Sequence, residues 1–203
     1  MKFFTALLVF VFAHSAFAGE LTGKLVFDKK APFAGVLFVA DNAAGPNKTT
    51  IDQMDKQFTS KLAVVGQGGT LEFSNSDTFQ HNIFANDKKT GIKFDVGLMQ
   101  TGQKVDVSAD WSDNTMTRVG CKIHPKMRTY VANIQSSAYQ VFEFEKKVNA
   151  YDVKLNSSSS VNEFVLMIPK YDQLTFTLAP GEEKTLEVTR KGKKKATLTI
   201  KHS

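Results

Sequence analysis

The chain has 203 residues, 42% of them hydrophobic, and 26 Lys and Arg against 20 Asp and Glu give it a net charge of +6. That length and apolar content can bury the core of one large or two small domains. A single cysteine, Cys121, excludes an internal disulfide framework.

Met1-Lys2, the apolar run Phe3 to Ala13 and the small-x-small sequence Ala16-Phe17-Ala18 read as a secretory signal, residues 1–18, cleaved after Ala18. The apolar stretch is too short to span the ~30 Å hydrocarbon core of a bilayer, so cleavage rather than anchoring is expected. The mature chain, from Gly19, is expected to be exported, without a membrane span and monomeric.

Beyond it nearly every segment has strand character. Leu21 to Phe27, Gly35 to Ala40, Lys61 to Val65, Thr70 to Phe73, Gln80 to Phe84, Lys104 to Ser108, Thr115 to Cys121 and Thr129 to Ile134 are short runs rich in β-branched and aromatic residues. Asp41 to Lys48, with Gly45-Pro46, reads as loop, and Thr50 to Phe58 is the one place where a turn or two of helix is expected. Many short strands between Gly, Asn and Asp turns predict an all-β sandwich or barrel.

Composition shifts after Ser136. Residues 137–203 read as a smaller C-terminal β module, distinct from residues 19–136, with strands such as Glu163 to Ile168, Leu174 to Leu178 and Thr197 to Ile200. Asn156 to Ser160 and Ala179 to Glu182 read as its loops. The basic run Arg190-Lys191-Gly192-Lys193-Lys194-Lys195 could attract nucleic acid or anionic lipid, but reads better as a hairpin turn with Gly192 at its tip. An exported protein rarely meets nucleic acid, so no nucleic-acid partner is expected.

The chemistry concentrates in Cys121-Lys122-Ile123-His124-Pro125-Lys126-Met127. Each residue alone has an ordinary explanation: a buried inert thiol, a loop histidine, a core methionine. Together, a thiol, an imidazole and a thioether within seven residues, between two predicted strands, suit copper. Two His and one Cys with a weak axial Met describe a blue-copper site. His81 is the other internal histidine of the mature chain, apart from His202 in the tail, and follows a predicted strand and a polar turn. The candidate metal ligands are therefore His81, Cys121, His124 and Met127.

From Ile51 to Ile134 the chain resembles the periplasmic cupredoxins related to plastocyanin, particularly the methylamine-utilisation type. The resemblance is carried by Ile51 to Phe58, Phe73 to Asp77, His81 to Phe84, Phe94 to Leu98 and the Cys121 to Met127 loop with Arg128 to Val131. It implies a Greek-key sandwich, a periplasmic location and one type 1 copper. His81 and His124 would be the imidazole ligands, Cys121 the thiolate and Met127 the long axial ligand. It further implies that Asn82 contributes a hydrogen bond to the Cys121 sulfur, and that Ile83, Phe84, Met99 and Pro125 form an apolar collar where redox partners dock near His124. Ser60 stands where a proline is usual, and Lys126 where an aromatic is frequent. The expected function is one-electron transfer between redox proteins without turnover of a substrate. Copper storage or delivery with the same ligands is the alternative. An oxidase or nitrite reductase would need more histidines than the mature chain has. A fourth reading makes the C-terminal module the working part and the copper incidental.

Overall fold

The computed structural model describes residues 18–158 and 162–203. The stretch read as a signal peptide lies outside them, save its last residue. Among the described residues every regular element is a strand, so no helix is long and apolar enough to cross a membrane.

In chain order the strands are β1 (Ala18–Phe27), β2 (Ala34–Val39), β3 (Lys48–Met54), β4 (Gln57–Phe58), β5 (Leu62–Val65), β6 (Thr70–Asn75), β7 (His81–Asn86), β8 (Lys93–Met99) and β9 (Lys104–Ser108). They continue as β10 (Thr115–Cys121), β11 (Arg128–Asn133), β12 (Tyr139–Glu143), β13 (Ala150–Ser158), β14 (Glu163–Met167), β15 (Leu174–Thr177), β16 (Glu183–Arg190) and β17 (Lys193–His202). They form four sheets, with orders β4-β3-β6-β9, β5-β11-β10-β7-β8, β12-β2-β14-β15 and β13-β1-β17-β16.

Three hydrophobic clusters fill the spaces between these sheets. The first, with Ile51, Phe73, Ile83, Val119 and Val131, lies between the first two sheets. The second joins Val36 and Phe38 of β2 to Leu62 and Val64 of β5, Ala132 of β11 and Val165 of β14, so it lies between the two middle sheets. The third gathers Leu25, Leu37, Phe164, Leu166 and Leu198 between the last two. The result is four stacked β layers with three cores.

This stacking explains the sequence pattern. β2 and β5 are buried along their whole length because both faces pack, which is why they read as continuous apolar runs. In β14, Phe164 and Leu166 face one core while Val165 and Met167 face the other. β9 has one covered face and alternates exposed and half-buried residues. Each fully buried Phe or Leu contributes roughly 1.5–3 kcal/mol relative to exposure.

The division of the chain differs from the one expected. β1 pairs with β13 and β17, and β2 with β12 and β14. Residues 18–39 therefore belong to the same sandwich as the strands after Ser136, and residues 48–134 form a sandwich inserted between them. A strand's hydrophobicity does not name its partner, and β1 meets β17 across nearly the whole chain length.

Two local readings also change. Thr50 to Phe58 is a hairpin rather than a helical turn, because Asp55 and Lys56 both take left-handed φ (52° and 57°) between β3 and β4, as a type I′ turn requires. Asn156 to Ser158 continue β13, with Ser157 buried; Ser159 and Ser160 lie outside the described residues. The basic run behaves as read: Lys191 (φ 53°) and Gly192 (φ 70°) turn β16 into β17, and both N–H groups donate to Asp172.

Candidate metal centre

Strand geometry brings the site together. β7 pairs antiparallel with β10, and Cys121 at the end of β10 lies opposite Ile83. His81 is two residues before Ile83, so it shares Ile83's inward face. Both His81 and Cys121 thus point into the sandwich interior at one end. The chain then reverses: Lys122 N–H donates to the Asn82 carbonyl (3.0 Å) and Met127 N–H to the His124 carbonyl (2.9 Å) before β11 begins. The reversal returns His124 to the same end and sends Met127 into the core cluster that holds Cys121.

The three donor atoms form a compact triangle. His81 Nδ1 is 3.1 Å from His124 Nδ1, and Cys121 Sγ is 3.8 Å and 3.7 Å from those nitrogens. A triangle with these sides has a circumradius of about 2.1 Å, within the range of metal–imidazole and metal–thiolate bonds. One ion therefore fits between them without rearrangement. His81 is fully buried, Cys121 3% exposed and Met127 2% exposed, whereas His124 is half-buried and forms the edge nearest solvent.

The surroundings orient these donors. His81 Nε2 lies 3.1 Å from Asp77 Oδ2, and a proton held there leaves Nδ1 with its lone pair facing the triangle. Burial pushes the Asp77 carboxyl up, but bonds from Lys56 N–H and His81 outweigh it and hold it below its ordinary value. Asn75 shapes this turn, donating to the Phe79 and Met99 carbonyls and accepting from Asp77 N–H. Asn82 N–H donates to Cys121 Sγ at 3.4 Å, while its side chain donates to Asp95. The bond to sulfur thus comes from the Asn82 backbone. Burial, with the neighbouring His81 and Lys56 charges, lowers the His124 pKa, which favours the neutral imidazole a metal needs.

Asp77 was not singled out in the sequence. Its signal is local: an acid four residues before a histidine, across a turn that Asn75 ties down. The expected collar also shifts. Ile83 and Met99 are fully buried, because Ile83 shares the inward face and Met99 lies directly opposite His81. Phe84 is half-buried and Pro125 exposed. Met54, Phe79, Leu98 and Ile123 are large apolar side chains that, like Pro125, reach solvent. His202 lies in the other sandwich, buried against Ser157 and the Leu178 carbonyl.

No protein-family model and no curated protein matches the chain. Among solved structures it is similar to a purple cupredoxin from Nitrosopumilus maritimus at 17% identity and TM-score 0.36, over 42% of this chain and 98% of that one. It is similar to amicyanin from Paracoccus versutus at 16% identity and TM-score 0.38, over 48% of this chain and 96% of the other. A copper-containing nitrite reductase from Thermus scotoductus matches at 20% identity and TM-score 0.38, over 41% of this chain and 21% of the enzyme.

Proposed function

We propose that this chain is an exported copper protein that carries single electrons between redox partners in the periplasm and turns over no substrate. The observation that carries the proposal is the triangle of two imidazole nitrogens and one thiol sulfur, buried at one end of a β-sandwich and sized for one ion. His81, Cys121 and His124 would hold the ion, and Met127, buried in the same core cluster as Cys121, would be the candidate for a weak fourth contact. Two nitrogens and a thiolate with a thioether suit copper, whose bound form supplies a one-electron couple.

The chain's own residues account for the rest. Strands β7 and β10 hold His81 and Cys121 in one register, which would limit movement of the donors. Asp77 fixes the His81 tautomer, and the Asn82 N–H draws charge from the Cys121 sulfur. Burial excludes water from all but the His124 edge, which is where an electron would enter or leave.

Copper(II) added to the purified apo-protein tests this. The expected result is an intense visible thiolate-to-copper band and a narrow copper hyperfine splitting by EPR. Met127→Leu should keep the band and shift the potential. A colourless one-to-one Cu(I) complex would overturn the carrier reading in favour of storage or delivery.

A further inference from the structure

The two sandwiches diverge beside the metal end and leave a groove between them. It begins at a depression of about 860 Å³ next to His124, walled by Phe58, Pro125 and Phe33. It continues through depressions of about 350 and 430 Å³ that share Phe33 and Arg128 with it or with each other, and ends at Tyr171. Both sandwiches build it: Arg118, Arg128 and Tyr130 come from the metal-bearing one, Lys30, Phe33 and Arg190 from the other.

Its charge is one-sided. Nine cationic side chains line the three depressions, against the carboxylates of Asp55, Glu143 and Glu145. The ion pairs among the described residues engage other lysines, such as Lys24, Lys48, Lys104, Lys122 and Lys154, and none of the nine. Some of the nine rest on aromatic rings instead. The Arg128 guanidinium lies 4.4 Å from the Phe33 ring centre, and the Lys56 ammonium 3.8 Å from that of Phe79. Nine cations against three carboxylates, none of the nine in an ion pair among the described residues, hold a standing positive potential in a concave site.

We propose that this groove docks an acidic segment of the protein that exchanges electrons at His124, so that the second sandwich serves as half of a docking site. A small anion would need converging donors, whereas these are spread over three adjoining depressions. A membrane would need a convex or flat face. The groove's open end at the half-buried His124 would set the partner beside the site. This deepens the electron-carrier reading by naming the partner's chemistry.

The test is anisotropy of a fluorescein-labelled polyglutamate peptide with the full mature chain, with and without copper, at low and moderate salt. The groove variant Lys30→Gln/Arg118→Gln/Arg190→Gln should bind about tenfold more weakly, with a flatter salt dependence. The control Lys24→Gln/Lys154→Gln/Lys201→Gln removes the same charge from other surfaces and should stay within about twofold of the parent. Equal loss in both variants, or loss in neither, overturns the proposal. So does displacement of the peptide by inorganic phosphate at matched charge, or groove-dependent binding to phosphatidylglycerol vesicles with peptide binding unchanged. The peptide assay needs no copper, so a missing visible band with binding intact would condemn the carrier reading alone.

Discussion

The two sandwiches are built from the same kind of strand but bury different things. Of the eleven buried polar residues among those described, eight lie in the sandwich that holds the donor triangle, from Gln53 to Asn133, and several of these surround the turn that delivers His81. The other sandwich fills its core with Phe27, Phe142, Phe144, Phe164 and Phe176 and, among its described polar residues, buries only Ser157 and His202, which bond each other and a nearby carbonyl. Burying a polar group costs free energy unless it is satisfied. A sandwich that accepts this cost repeatedly at one end is shaped for chemistry there, while one that avoids it is shaped for packing.

The comparison can be broken most completely at Cys121. Cys121→Ser should abolish the visible copper band while leaving the far-UV spectrum of both sandwiches intact; a full blue band in that variant would mean the thiolate is not a ligand. Next in size is the shared core. Phe38 is fully buried between the middle sheets, and Phe38→Ala should cost about 3–5 kcal/mol. Calorimetry should then resolve separate transitions for the two sandwiches, and a single sharp transition would mean that their coupling does not depend on Phe38. A smaller effect is expected at Asp77. Asp77→Asn should keep the band but weaken copper affinity roughly 10–100-fold, because the His81 tautomer is no longer enforced. Unchanged affinity in a competitive chelator titration would count against that role.

The smallest effect concerns acid. Lys48 and Lys104 hold Glu72, on the sandwich of the donor triangle, down to about 2 from 4.5. Its contribution is present above the unfolded value of 4.5 and is lost as pH falls towards 2. Glu72→Gln should therefore lower the melting temperature slightly at neutral pH and flatten its decline across that window, the two profiles converging as pH falls towards 2. An identical acid profile in parent and variant would show that the pairs do not stabilise the fold.

Much of the site was legible because it is local. Cys121, His124 and Met127 share one loop, and a lone cysteine in a chain expected to be exported calls for a role. His81 followed from there being so few histidines. Asp77 and the backbone of Asn82 were harder: one acts across a turn, and the other through an N–H that every residue has. The collar was misread where residue type was taken for exposure, since Ile83 and Met99 face inward through the register of β7 and β8. The helix expected over Thr50 to Phe58 failed because two non-glycine residues, Asp55 and Lys56, take left-handed φ in its place.

By itself the sequence determined the class of the fold, most strand positions and the candidate donors, since strand periodicity and ligand chemistry are written in residue types and short spacings. Of those donors the fold gathers His81, Cys121 and His124. Tertiary structure alone decided which strands share a sheet. It decided that residues 18–39 close the C-terminal sandwich, that three cores bind four layers into one stack, and that two surfaces meet in a cationic groove beside His124. Those depend on pairings between residues as far apart as Leu21 and His202, and nothing in a strand's own residues encodes the distant strand that will complete it.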